Sequence, residues 1–216
     1  MSRARHSTVG LVAVAIVIAL ALAGCAAEPT DTGSPADTTE PATPPDAAGK
    51  DVKTIYVAGG CFWGLEKYIG LVDGVVATEV GYANGASASA TYGDGSGYAE
   101  AVKVVYDPAV APLPFLLDLF FDAIEPTSVN RQGNDVGTEY RTGIYYTDSA
   151  DAAVIEKSLT RLQTKYTEPI AVESGPLTTY TRAEDYHQDY LQKNPGGYCH
   201  IPEKLFDAAA AARPLP

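Results

Sequence analysis

From Val52 onward the chain falls into short apolar runs with two different periods. Residues 54–58, Thr-Ile-Tyr-Val-Ala, are β-branched and aromatic with no polar break, which predicts a buried strand stopped by Gly59 and Gly60. Phe62, Leu65, Tyr68 and Ile69 then recur at helical spacing, so a helix opens at Cys61. Residues 75–80 and 100–106 read as further strands, separated by a Gly-, Ala-, Ser- and Asn-rich loop over 81–97. Pro112 and Pro114 introduce a helix over 115–124, and Pro126 ends it. Residues 142–146 form another strand. Ile155, Leu159 and Leu162 line one face of a helix over 149–165. Thr181-Arg182-Ala183-Glu184 matches a capping box and predicts a helix over 182–193, terminated by Asn194-Pro195-Gly196-Gly197. Strands and helices alternate without a regular βαβ period. The expected fold is therefore α/β (α+β): an α/β-plait, with a small mixed sheet and packed helices, in a single domain over 51–207. Residues 208–216, rich in alanine, are expected to be a frayed tail.

The first 50 residues do not fit that globule. Arg3 and Arg5, with His6, precede an apolar run from Val9 to Leu22. That run is shorter than the ~20 residues needed to span a bilayer, so it reads as the core of a signal peptide. It ends in Leu22-Ala23-Gly24-Cys25, which resembles the bacterial lipoprotein signal. The resemblance implies a signal peptide over 1–24 and a lipid on Cys25. The domain is then expected outside the cytoplasm, lipid-anchored to the bacterial cell membrane. Residues 25–50 are mostly Ala, Pro, Thr, Asp and Gly and cannot bury enough apolar surface to offset their ordering entropy. A disordered tether is expected there.

Composition adds an exclusion. The formal charge is −12, and removal of Arg3 and Arg5 with the signal peptide takes it to −14. So acidic a domain repels nucleic acid and anionic surfaces, and no nucleic-acid partner is expected. A monomer is expected.

The cysteines carry more. Lipid claims Cys25, which leaves Cys61 and Cys199. No Cys-x-x-Cys is present, which argues against a thioredoxin motif and a zinc knuckle, and no metal is expected. Two distant cysteines in an exported domain form either a structural disulfide or a catalytic pair. Cys61 lies between a strand and the first turn of a helix, where unpaired N–H groups and the helix dipole are expected to lower its pKa. Gly59 and Gly60 permit close approach of another molecule. Phe62 and Trp63, the single tryptophan, set two aromatic faces beside it, suited to a substrate apolar at one end and polar at the other. In the strand Glu100-Ala101-Val102-Lys103-Val104, alternation places Glu100 with Val102 and Val104, and Lys103 on the solvent side. Glu100 is thus expected to be desolvated, with a raised pKa, and able to donate a proton near neutrality. His187 reads as a buried, hydrogen-bonded histidine within its helix. Arg131 and Arg141 read as structural or ion-paired.

Gly-Cys-Phe-Trp-Gly at 60–64 resembles the signature of the A-type peptide methionine sulfoxide reductases, which act on the S-epimer. The likeness continues through Val80-Gly81-Tyr82-Ala83-Asn84-Gly85, Tyr98-Ala99-Glu100-Ala101-Val102 and residues 130–141. It closes with Glu184-Asp185-Tyr186-His187-Gln188 and Gly197-Tyr198-Cys199-His200. The resemblance implies Cys61 as nucleophile on the sulfoxide sulfur and Cys199 as the resolving cysteine. It further implies that Tyr82, Glu100 and Tyr140 hold the sulfoxide oxygen, with Glu100 as proton donor. Asp135 organises the site, and Phe62 and Trp63 receive the substrate methyl. Oxidised proteins containing methionine sulfoxide are the expected substrates. No cofactor is implied beyond an external, thioredoxin-like dithiol reductant. Tyr98 stands where many relatives have His. A thiol peroxidase remains an alternative if Arg131 or Arg141 reaches the thiolate.

Overall fold

The computed structural model describes residues 51–87 and 89–214. The signal peptide, Cys25 and the tether expected over 1–50 lie outside the described residues. The first apolar run pairs on both sides: β1 (Lys53–Ala58) lies antiparallel to β3 (Ala99–Tyr106) and to β6 (Gly143–Tyr146). β2 (Val75–Ala83) borders β3, and β8 (Tyr180–Arg182) borders β2, both antiparallel. β7 (Glu173–Pro176) is parallel to β6, which makes the six-stranded sheet mixed, in the order β7-β6-β1-β3-β2-β8. A separate ribbon pairs β4 (Arg131–Gln132) with β5 (Asp135–Val136).

Period-2 alternation decides what each face carries. Ile55, Val57, Val80, Tyr82, Val102, Val104 and Ile144 form one core with residues of three helices. These are α1 (Phe62–Gly70), α2 (Leu113–Asp122) and α3 (Asp151–Gln163), each within a few residues of its expected place. The opposite face was expected to be the solvent side of β3, but Lys103 is buried. The return of the chain through Leu177 and Tyr180 covers Tyr56, Ala58, Ala101 and Tyr145 there. Both faces of the central strand are therefore closed, and Glu100 lies in a dry sheet.

Two expectations fail. Residues 182–193 are not one helix: after β8 come turns, and only α4 (Tyr190–Lys193) is helical. The capping-box residues have long-range partners instead. Thr181 pairs with Tyr82 in the sheet, and its hydroxyl accepts the Ala90 N–H at 3.2 Å. Gln188 brackets Val80, accepting from its N–H at 3.0 Å and donating to its carbonyl at 2.9 Å. Asp189 adopts a left-handed conformation, φ +53°, and its N–H reaches Glu66 Oε2 at 2.8 Å. Tertiary hydrogen bonds outweigh a local preference worth about 1 kcal/mol. Nor is the chain frayed from residue 208. α5 (Glu203–Ala211) continues to Ala211, because Phe206 and Ala209 are buried in the main core.

Candidate active site

The turn from β1 into α1 places Cys61 as the helix N-cap, with φ −58° and ψ 121°. The Cys61 side chain makes no cap hydrogen bond, and Glu100 Oε2 accepts the Phe62 N–H at 3.1 Å. Two acidic groups thus share one helix N-terminus. Both are buried, Cys61 at 7% exposure and Glu100 at 2%. Burial pushes the Glu100 carboxyl up to about 8, against the Phe62 N–H, and Asp135 and Glu139 push it further the same way. The expectation of a lowered Cys61 pKa is overturned. Burial first, then the Glu100 carboxylate, drive the thiol far above its usual range, and the Trp63 N–H offsets only part. A helix end contributes fractions of a kcal/mol to a kcal/mol or two, whereas full burial moves a pKa by several units. At neutral pH both groups keep their protons.

An aromatic wall stands beside them. Phe62 is buried and lies 5.1 Å from the His187 ring and 6.0 Å from Tyr82. Trp63 stacks on Tyr190 at 3.8 Å and 16°, and its indole N–H donates to His187 Nδ1 at 3.0 Å. That bond requires a neutral imidazole with its proton on Nε2. Burial lowers the His187 pKa, which keeps the ring neutral. His187 is buried and hydrogen-bonded as expected, but it sits in a turn rather than a helix.

The tyrosines divide differently from expectation. Tyr82 sits opposite Glu100 in the β2–β3 register, but its hydroxyl donates to Glu184 Oε2 at 2.7 Å. Its proton is committed to a carboxylate. Tyr140 ends the 3₁₀ turn Thr138–Tyr140, and its phenol is raised by burial and by Glu100. Tyr92, half exposed on the 81–97 loop, has its phenol raised by partial burial first and then by Glu100, with Tyr140 opposing. The Tyr92 backbone N–H is fixed on Glu184 Oε1 at 3.2 Å. Tyr92 and Glu184 are therefore site residues that the sequence did not single out. Tyr98, in place of the common His, accepts the Gly93 N–H at 2.9 Å and packs its ring 4.4 Å from Tyr82.

Cys199 is half-buried, and both cysteines are free thiols. A Cβ added to Gly64 would lie 2.7 Å from the Cys199 sulfur, so Gly64 is what lets the C-terminal segment settle on α1. The glycines of this motif were expected to admit another molecule. What approaches Gly59 and Gly60 is the chain itself: Ile124 and Phe120 at the first, Gln132 and His200 at the second. Asp135, on β5, acts electrostatically on both Cys61 and Glu100. The two arginines are placed away from the thiol. Arg131 donates to the Gly133 carbonyl, while Arg141 pairs with Glu173 at 2.9 Å and donates to Thr138 and Gly97 carbonyls.

A buried thiol and a protonated carboxylic acid under one helix end, with a second thiol within reach, define a thiol oxidoreductase. Comparison with known proteins narrows the class. The family model described as "Peptide methionine sulfoxide reductase" matches residues 53–214. A peptide methionine sulfoxide reductase MsrA of Lachnoclostridium phytofermentans is 52% identical over 164 residues, covering 74% of this chain and 99% of that protein. The same-named protein of Clostridium acetobutylicum is 51% identical over 158 residues, covering 71% and 98%. Among solved structures, reduced Mxr1 of Saccharomyces cerevisiae superposes with a TM-score of 0.64 at 40% identity, covering 68% of this chain and 88% of that one. Methionine sulfoxide reductase A of Corynebacterium diphtheriae gives 0.62 at 36% identity, covering 72% and 85%. The chain belongs to the peptide methionine sulfoxide reductase family, and it is an enzyme that reduces methionine sulfoxide.

Proposed function

We propose that the chain reduces the S-epimer of methionine sulfoxide, in proteins and free, through a sulfenic acid on Cys61. The observation that carries this reading is the protonated Glu100 carboxyl sharing the α1 N-terminus with the Cys61 thiol. The substrate methyl packs against Phe62 and Trp63, and the oxygen meets Glu100 with Tyr92 and Tyr140. Tyr82, expected beside them, donates at rest to Glu184. As Cys61 sulfur attacks the sulfoxide sulfur, the Glu100 proton passes to the oxygen, which turns a poor leaving oxide into a hydroxyl. The Cys61 proton replaces the one Glu100 gave up. The S–O bond to substrate breaks, methionine leaves and Cys61 holds the hydroxyl, so the step is balanced without another reactant.

Cys199 then condenses with the sulfenic acid, releasing water and leaving a Cys61–Cys199 disulfide. A thioredoxin-like dithiol reduces it by exchange. With the lipid on Cys25 and the tether, the enzyme would repair oxidised proteins of the cell envelope. The peroxidase alternative loses its cationic partner, since Arg131 and Arg141 are engaged elsewhere. Turnover with dithiothreitol on resolved S- and R-sulfoxides of N-acetylmethionine, and on hydrogen peroxide, tests the reading. Reduction of the S-sulfoxide alone is expected, and faster consumption of peroxide refutes it.

A further inference from the structure

The segment that carries Cys199 straddles the nucleophile. Cys199 sits over Gly64, and His200 sits over Gly60: a Cβ there would lie 3.0 Å from His200 Cε1. Gly60 has φ +79°, so only glycine takes that backbone at no steric cost, and a Cβ there would meet Gln132 at 2.6 Å as well as His200. Residues 199 and 200 thus pack over Gly64 and Gly60, one on each side of Cys61 in the sequence.

Asp135 faces the same segment next to Cys199. His200 Nδ1 lies 3.7 Å from Asp135 Oδ2. The His200 side chain is only 4% exposed. Asp135 Oδ2 and both His200 ring nitrogens are buried without a hydrogen-bond partner. Leaving such groups unpaired costs about 1–3 kcal/mol each, and a closure of about 0.8 Å makes a hydrogen bond between them. Disulfide formation needs Cys199 to be brought to Cys61 with Cα atoms about 5.5–6 Å apart. The approach of His200, the residue after Cys199, to Asp135 constrains that motion.

We propose that His200, held by Asp135, is a positioning residue for the resolving step. It orients Cys199 on the Cys61 sulfenic acid, and it takes no part in the attack on sulfoxide. In the step it serves, the Cys199 S–H and the Cys61 S–O bonds break, an S–S bond forms and the thiol proton leaves with the hydroxyl as water. The Cys199 sulfur is oxidised and the Cys61 sulfur is reduced, with no outside reagent. The inference rests on the resolving role of Cys199.

The full reduced protein, mixed once with methionine S-sulfoxide and no reductant, separates the two steps. Released methionine reports the first, which consumes the Cys61 thiol, and loss of the second thiol, that of Cys199, reports the second. In His200→Phe the methionine burst is expected within about twofold of wild type, while disulfide formation slows about 10- to 100-fold, the scale of a misplaced reacting group. Sulfenic acid accumulates meanwhile. His200→Gln, which keeps a donor for Asp135, is expected to recover most of the rate, a rescue that simple packing would not give. If the phenyl ring is not accommodated and the protein does not fold, His200→Leu takes its place. Disulfide formation at the wild-type rate in the apolar variant, loss of its burst, or no recovery with Gln overturns the proposal. Cys199→Ser separates the failures: full turnover with a protein dithiol there refutes the resolving role itself.

Discussion

Glu100→Gln tests the chemistry most directly, because it keeps the shape and the acceptor for the Phe62 N–H but removes the transferable proton. The first turnover is expected to slow by roughly 10²–10⁴, the usual weight of general-acid catalysis. Its pH profile should change as well. In wild type the rate of methionine release is expected to fall tenfold per pH unit above about 8, as Glu100 loses its proton, and this limb should vanish in Gln. Stability gives a second reading. The folded carboxyl is raised from 4.5 to about 8, so between those values the unfolded chain is ionised there and the folded chain is protonated. Folding binds a proton, and stability is lost as pH rises from about 4.5 to 8. At about 1.4 kcal/mol per pH unit, that window corresponds to on the order of 5 kcal/mol. Glu66, pushed up to about 7 by burial and by Asp189, adds its own loss to both proteins and cancels in the comparison. Urea unfolding at several pH values should therefore show Glu100→Gln gaining on wild type from pH 5 to 8. A difference independent of pH would mean that Glu100 is not protonated. A first turnover within threefold of wild type would end its role as the acid.

Cys61→Ser is expected to abolish reduction of methionine sulfoxide while leaving the unfolding midpoint nearly unchanged, since serine is a good N-cap; substantial activity in the folded variant refutes the nucleophile. Tyr92→Phe should lower kcat/KM at least tenfold by removing a hydroxyl near Tyr140 and Glu100. Tyr82→Phe should instead destabilise the protein by about 1 kcal/mol by removing one hydrogen bond from the partly exposed Glu184, and the opposite pattern in kinetics and denaturation refutes the division drawn here. His187→Phe removes the acceptor of the only indole N–H, so the emission of Trp63 should shift and KM for the sulfoxide should rise more than kcat falls; an unchanged spectrum speaks against the contact. Cys25→Ala should abolish lipid modification, read by mass spectrometry of the mature protein, and an unmodified Cys25 in wild type removes the membrane anchor.

Those elements that follow from side-chain period alone were readable in the chain. β1, β3, α2 and α3 each bury a run whose spacing matches one face, and Glu100 shares the register of Val102 and Val104. What could not be read depends on partners distant in sequence. Lys103 looks like a surface residue until the return at 177–180 covers its face, a contact across more than 70 positions. Thr181 and Glu184 spell a capping box, yet their hydrogen bonds go to residues around 82–92. Tyr92 is one of 14 tyrosines in a loop with no period, so nothing local marks it.

The Cys61 pKa shows why a local rule misleads at a functional site. A strand–helix turn with glycines reads as a thiolate nest, yet the first free amide of the helix, that of Phe62, goes to Glu100 and not to the sulfur. The same geometry buries the thiol. Two acids then lie at one helix end, and burial holds back the ionisation of each. The resting enzyme thereby keeps both protons the first turnover requires, one for the oxygen and one to restore Glu100. A low-pKa thiolate at rest would react with any oxidant that entered; a thiol that ionises only as Glu100 gives its proton to a bound oxygen reserves its reactivity for the sulfoxide. On the proposed mechanism, the selectivity of the site then comes from the protonated Glu100 beside a buried thiol more than from the nucleophilicity of that thiol at rest.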